Sequence, residues 1–184
     1  MKQTFTLFLL LVALLLPESS AAQTVYSVVS EGLTLNFIVN GTEATITGTP
    51  DKIPSTTQGS SYVLNNGGVL KIPATVSVGA NTYTVTRIAG YAFSACGITS
   101  LTLPPTLKVI EEGAFFMNTT DIAYDDLIIP ASVQRIESQA FRNHRIKHLS
   151  FEAGSQLSYL GTAAFGTGRT PRKGRLCPLT REQV

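Results

Sequence analysis

The chain has 184 residues, 43% of them hydrophobic and 14% charged, with a formal net charge of +2. That charge is uneven: between Gln23 and Gly168 eight Lys or Arg face ten Asp or Glu, whereas Arg169, Arg172, Lys173, Arg175 and Arg181 crowd the last 16 residues against Glu182. A body with a slight acid excess excludes a nucleic-acid footprint, and two cysteines, Cys96 and Cys177, exclude a disulfide framework, so folding must rest on an apolar core.

The first element is MKQTFTLFLLLVALLLPESSAAQ, with Lys2 as a positive start, an apolar run from Phe5 to Leu16 and small residues at Ser20, Ala21 and Ala22. That layout predicts a secretory signal peptide over residues 1–22, cut after Ala22. The apolar run falls short of the roughly 20 residues a membrane-spanning helix needs. No second long apolar run comes after it and no Leu-x-x-Cys pattern ends the segment, so the expected product is a secreted or cell-surface protein that neither spans the membrane nor carries a lipid anchor. About 160 residues then remain, enough for one ordinary domain or a short repeat array.

From Val25 to Thr84 the sequence reads as short strands: YSVV, LTLNFIV, EATITG, VLKI, TVSV and TYTVT. Asn40-Gly41 separates two of them, as in a two-residue hairpin, and Gly79 to Asn81 separates another pair by a slightly longer loop. PSTTQGSS, from Pro54 to Ser61, has the composition of a flexible connection. Because these strands run into the segment from Val85 onward without a linker, residues 23–84 are expected to cap the open end of a repeat array.

The repeats begin at Val85. An Ile-x-x-x-Ala-Phe pattern recurs at Ile88, Ala92 and Phe93; Ile110, Ala114 and Phe115; Ile136, Ala140 and Phe141; and, with Leu in first place, at Leu160, Ala164 and Phe165. The anchors lie 22, 26 and 24 residues apart. Between them fall Ile98, Leu101, Leu103 and Pro104; Leu127, Ile129 and Pro130; then Ile146, Leu149 and Phe151. This L-x-x-L-x-L rhythm at roughly 20 to 29 residues is that of a leucine-rich repeat. The expected fold is a mainly β repeat solenoid of three to four coils over residues 85–168, each coil burying its apolar strand face against its neighbours. The four Phe residues should form a column of rings. The Ala before each marks close approach between coils, and Pro104 and Pro130 end strands where a missing N–H does no harm.

The form of the repeat, with strands closing in LTLPPTLKVI and LIIPASVQRI, resembles the BspA-like leucine-rich repeat family of surface and secreted proteins. The entry segment GGVLKIPATVSVGANTYTVTRI is also similar to that family's. The resemblance implies a solenoid used for binding, with members acting as adhesins toward host matrix proteins or other cells.

After Phe165 the next strand motif is missing. GTGRTPRKGRLCPLTREQV carries no L-x-x-L-x-L, so residues 169–184 are expected to be a disordered basic tail. The last coil would then expose its inner face, a site for self-association, and the chain would be a fragment of a longer array or end in a replaced tail.

Catalytic chemistry finds little support. His144 and His148 are four apart, but in strand register this is not the ligand spacing of a helix, and no Cys or carboxylate set joins them, so neither metal nor other cofactor is expected. Glu111 and Glu112 are adjacent and diverge, unlike the paired acids of a glycosidase. No nucleophile has a matching His and Asp, and the chain is expected not to be an enzyme. Cys96 reads as a small buried residue. Asn40-Gly41-Thr42 and Asn118-Thr119-Thr120 fit the glycosylation sequon and are also turn chemistry. Arg142, Arg145 and Lys147 form a candidate basic patch for sulfated glycans or acidic proteins, with a solvated loop as the alternative. Superposing Leu127 on Leu149 sets Asp125 beside Lys147 and Asp126 beside His148. The positions left free to vary, Ser100, Thr102, Asp126, Ile128, His148 and Ser150, are the candidate ligand surface for proteins or glycans outside the cell. A second reading makes the chain a scaffolding piece of a larger surface protein whose activity lies elsewhere.

Overall fold

The computed structural model describes residues 23–54, 62–118, 124–144 and 146–166. The expected signal peptide, the basic tail, most of the Pro54–Ser61 connection, Arg145, Thr119, Thr120 and Cys177 lie outside the described residues. Among the described residues there are fourteen strands and no helix.

An antiparallel meander opens the fold: β1 (Tyr26–Ser30), β2 (Leu33–Asn40) and β3 (Glu43–Gly48). Alternate residues of β2 point inward, burying Leu33, Leu35 and Phe37 while Thr34 and Asn36 stay half-exposed, as a strand period of two requires. Asn40 pairs with Glu43, so the turn residues are Gly41 and Thr42, and Gly41 takes the positive φ of 59°. The β7–β8 hairpin repeats this design, with Val78 paired to Asn81 and Gly79 at φ 59°. Its loop is thus two residues long, shorter than the sequence reading. Both turns put glycine first, where a type II′ hairpin demands it.

Next come β4 (Lys52–Pro54) paired with β5 (Tyr62–Leu64), then β6 (Val69–Lys71), β7 (Thr75–Val78) and β8 (Asn81–Ile88). β8 runs through Thr84 and Val85, so the sheet is continuous where the sequence divides cap from repeats. After it the chain alternates between two parallel ladders. One is β8, β10 (Val109–Ile110), β12 (Arg135–Ile136) and β14 (Tyr159–Leu160), in which Ile88, Ile110, Ile136 and Leu160 are register partners. The other side holds β6 with β9 (Ser100–Thr102), and β11 (Tyr124–Ile129) with β13 (Ile146–Phe151). β3 joins β8 in parallel and sets Ile46 beside Ile88, so the meander supplies one more row to the first ladder.

Between the two sides each coil turns on its Ala-Phe pair. Phe93, Phe115, Phe141 and Phe165 stack with centroid spacings of 5.7, 4.9 and 5.0 Å and interplanar angles of 11°, 13° and 5°. Ala92, Ala114, Ala140 and Ala164 are buried beside them. The turn backbone forms its own ladder. Tyr91, Phe93 and Ala95 donate N–H to the carbonyls of Glu112, Ala114 and Phe116 in the next coil; Gly113, Phe115 and Met117 donate to Ser138, Ala140 and Arg142; Gln139, Phe141 and Asn143 donate to Thr162, Ala164 and Gly166. Aiming alternate amides at the neighbour takes the residues two before and two after the Phe into the left-handed region: Tyr91 and Ala95, Gly113 and Met117, Gln139 and Asn143, and Ala163. For non-glycine residues this costs roughly 1–2 kcal/mol each, offset by the inter-coil bonds and the buried rings.

Three residues after each of the first three Phe lies a buried column of Cys96, Asn118 and His144. Asn118 accepts a bond from the Cys96 N–H and donates to the carbonyls of Phe93 and Phe115, joining two coils with one side chain. His144 meets the rings of Phe115 and Phe141 edge-on, at 6.4 and 5.9 Å. Burial holds its imidazole neutral, pushing its pKa down from 6.5 to about 3.

Burial thins toward the last described coil. Ile88, Ile110 and Ile136 are inaccessible to solvent, whereas Leu160 is 38% exposed and Tyr159 39%. Leu149, Phe151, Leu157 and Phe165 are only half-buried.

Candidate functional site

The strands β9, β11 and β13 build the candidate surface. Their inward residues, Leu101, Leu127 and Ile129, are buried, and the period of two then sends Ser100 and Thr102, Asp126 and Ile128, and His148 and Ser150 outward. All six are exposed, Ile128 by 53%. The β11–β13 register sets Asp126 against His148 and Ile128 against Ser150; that of β6–β9 sets Val69 against Ser100 and Lys71 against Thr102. β9 lies against β11 without joining its ladder. Outward residues therefore align within each pair, Val69 with Ser100 and Lys71 with Thr102 on one, Asp126 with His148 and Ile128 with Ser150 on the other.

His148 Nδ1 lies 3.0 Å from a carboxylate oxygen of Asp126, and Lys71 pairs with Glu31 at 2.9 Å. Both pairs are open to water, where such contacts contribute about 0 to 1 kcal/mol. They orient side chains more than they hold the fold. Of the basic residues, Lys147 is exposed on β13, while Arg142 is half-buried in the third turn, its guanidinium 6.0 Å from the Phe116 ring centre and bonded to Gln139 Oε1. Arg145, between them, falls outside the described residues.

The opposite face carries features that the sequence reading passed over. Outward residues of the first ladder align as Thr45, Arg87, Val109, Arg135 and Tyr159. Arg87 bonds Glu111 of the next coil at 3.0 Å, Arg135 bonds Glu137 at 2.8 Å, and the Arg135 guanidinium sits 4.2 Å from the Tyr159 ring centre. An open depression of about 400 Å³ lies among Arg87, Val109, Glu111, Arg135 and Glu137. Beside it a second, of about 350 Å³, includes Thr42, Glu43, Thr86, Thr106, Lys108 and Ser132. Hydrogen bonds from Lys108 and Thr86 hold the Glu43 carboxyl below its ordinary pKa. The signal for this row was the Arg-Ile pair at 87–88 and 135–136, where the residue before the anchor Ile is forced outward.

On the turn edge Tyr91 donates its hydroxyl proton to Glu112, which raises the phenol's pKa. Glu111 and Glu112 are thus separately engaged, Glu111 by Arg87 and the Gly90 N–H. Cys96 is fully buried, with its thiol pKa raised by desolvation. Asn118, the first residue of one sequon, is sealed in the column above, while Asn40 is exposed at its hairpin. No group of three or more His, Cys, Asp or Glu among the described residues is placed to hold a metal ion.

Comparison with known proteins gives the arrangement its context. Residues 77–169 match, in six copies, a family model described as a BspA type leucine rich repeat region. Among solved structures, the chain is similar to a leucine-rich repeat protein from Bacteroides ovatus ATCC 8483, with 25% identity and a TM-score of 0.56 over 77% of this chain and 33% of that one. The pneumococcal vaccine antigen PcpA matches at 15% identity and a TM-score of 0.44, over 77% of this chain and 48% of PcpA. The chain spans about a third of the length of the Bacteroides protein. No curated protein matches it.

Proposed function

Because the chain belongs to the BspA-type leucine-rich repeat family, we propose that it is an exported solenoid that works by binding, as an adhesin contacting host matrix proteins or other cells, and that it catalyses no reaction. The observation that carries this reading is the exposed outward face of β9, β11 and β13, in register between β11 and β13. There Ser100, Thr102, Asp126, Ile128, His148 and Ser150 project from strands whose alternate residues pack inward, fully buried on β9 and β11 and half-buried on β13. Repeat proteins bind through extended surfaces of this kind, because side chains on stacked coils keep fixed spacing with little entropy left to lose. Its partners on this reading are extracellular proteins or glycans, not nucleic acid, and the leader sequence routes it to the medium or the cell surface.

The test is binding of the mature chain, from Gln23, to immobilised matrix and serum proteins, in parallel with an Ile128→Arg, Ser150→Glu double variant. Saturable binding by the parent that falls at least tenfold in the variant, with the circular dichroism spectrum unchanged, supports the proposal. Absence of saturable binding to any of them refutes it.

The match to only a third of the Bacteroides protein favours one other reading, a scaffolding piece of a larger surface protein whose activity lies elsewhere. Sequencing the gene beyond the Phe165 codon separates the two, since an added enzymatic or anchoring domain moves the function there. On the first reading, the edge of the last described coil, where Leu160 and Tyr159 are partly exposed, is a place for self-association.

A further inference from the structure

The turn edge of the first three coils carries a row that neither the fold nor the ligand face requires. Tyr91, 52% exposed, meets the half-buried Phe116 ring edge-on at 6.5 Å, and Arg142 stands over the same ring at 6.0 Å from its centre. Met117, 41% exposed, comes directly after Phe116 in the chain. A Cβ on Gly113 would overlap the Tyr91 ring, so the ring lies directly against the next coil's backbone. Tyr91 and Met117 also have φ of 55° and 56°, where glycine or asparagine is least strained. Large side chains are thus retained in water at positions whose backbone favours small ones. Tyr, Phe, Met and Arg are the residue types enriched in protein interfaces, while Met has no particular use against sugars.

The charges at the two ends of the row identify the occupant. Glu112 accepts the Tyr91 hydroxyl proton at one end, and Arg142 closes the other. An apolar centre flanked by an acid on one side and a base on the other is complementary to itself under a two-fold rotation. We propose that this edge is an isologous dimer interface between two copies of the chain, with Phe116 near the axis and Glu112 of each copy facing Arg142 of the other. The patch is small, so the dimer is weak and forms at high local concentration, as on a crowded cell surface. It is separate from both the ligand face and the last coil.

Sedimentation of the mature chain over concentrations up to about 1 mM, the range of weak small-area contacts, tests this. The expected result is a monomer–dimer equilibrium that weakens at least tenfold in Glu112→Arg and in Arg142→Glu. Mixing those two variants should restore dimers, because each copy then supplies the charge the other lacks. Leu160→Arg, which alters the end coil, should leave the equilibrium unchanged. A parent monomeric throughout, or dimers lost only in Leu160→Arg, overturns the proposal. So does a mixture of folded single variants that stays monomeric, or capture of a matrix protein by this edge while the parent remains monomeric.

Discussion

Asn118 and His144 occupy the same place in successive turns and solve it differently. Asn118 has donors and an acceptor at the reach needed to tie the carbonyls of Phe93 and Phe115 to the N–H of Cys96. His144 fills the equivalent space with a neutral ring against Phe115 and Phe141. A histidine whose folded pKa lies near 3 while its unfolded value is 6.5 binds fewer protons folded than unfolded throughout that interval. Its contribution to stability is therefore present above pH 6.5 and is lost as the pH falls through the window toward 3. The loss amounts to about 2 kcal/mol by pH 5 and ~3 kcal/mol by pH 4. We predict that the urea midpoint falls between pH 7 and pH 5 in the parent, and that His144→Asn removes most of that fall. An unchanged pH dependence in the variant would falsify this account. The sequence hid this role because His144 draws attention as a possible ligand with His148. Only the count from each Phe, three residues onward, aligns it with Cys96 and Asn118.

Among the elements, the Phe column distributes stability unequally. Among the described residues, Phe115 has a ring on both sides and no solvent exposure, whereas Phe165 stacks on Phe141 alone and is half-buried. Deleting a fully buried Phe costs about 3–5 kcal/mol through lost transfer and a cavity. Phe115→Ala should approach that figure and Phe165→Ala should fall well below half of it, as read from chemical denaturation; equal losses would contradict the stack. The column, the buried Ala row and the outward β11 and β13 positions were legible because each recurs every 22 to 26 residues, and repetition substitutes for homologues. The left-handed residues were not, since Tyr91, Met117 and Gln139 carry none of the glycine signal that marks such turns. The Arg87 to Tyr159 row was legible only at its two Arg-Ile pairs, since Val109 and Tyr159 differ in chemistry and break the pattern.

At the scale of the whole molecule, the meander and one side of the coils, β8, β10, β12 and β14, share one sheet. The parallel pairing of β3 with β8 crosses some forty residues, and no local turn signature announces such a pairing. The absence of a linker is legible in the sequence, but the row that the meander adds to the ladder is not. The alternate turn amides that cross between coils, meanwhile, donate in one sense, from each coil to the one after it, so that Phe93 depends on Ala114, Phe115 on Ala140 and Phe141 on Ala164. Each of these crossing amides is therefore shielded from deuterium by its successor, not its predecessor. We predict exchange that slows stepwise from Phe141 back to Phe115 and Phe93, as measured by residue-resolved NMR; uniform rates along the three would contradict it. An isotope clock read at these amides registers whether the following coil is seated, so the stack keeps a residue-by-residue record of where along its length it has come open.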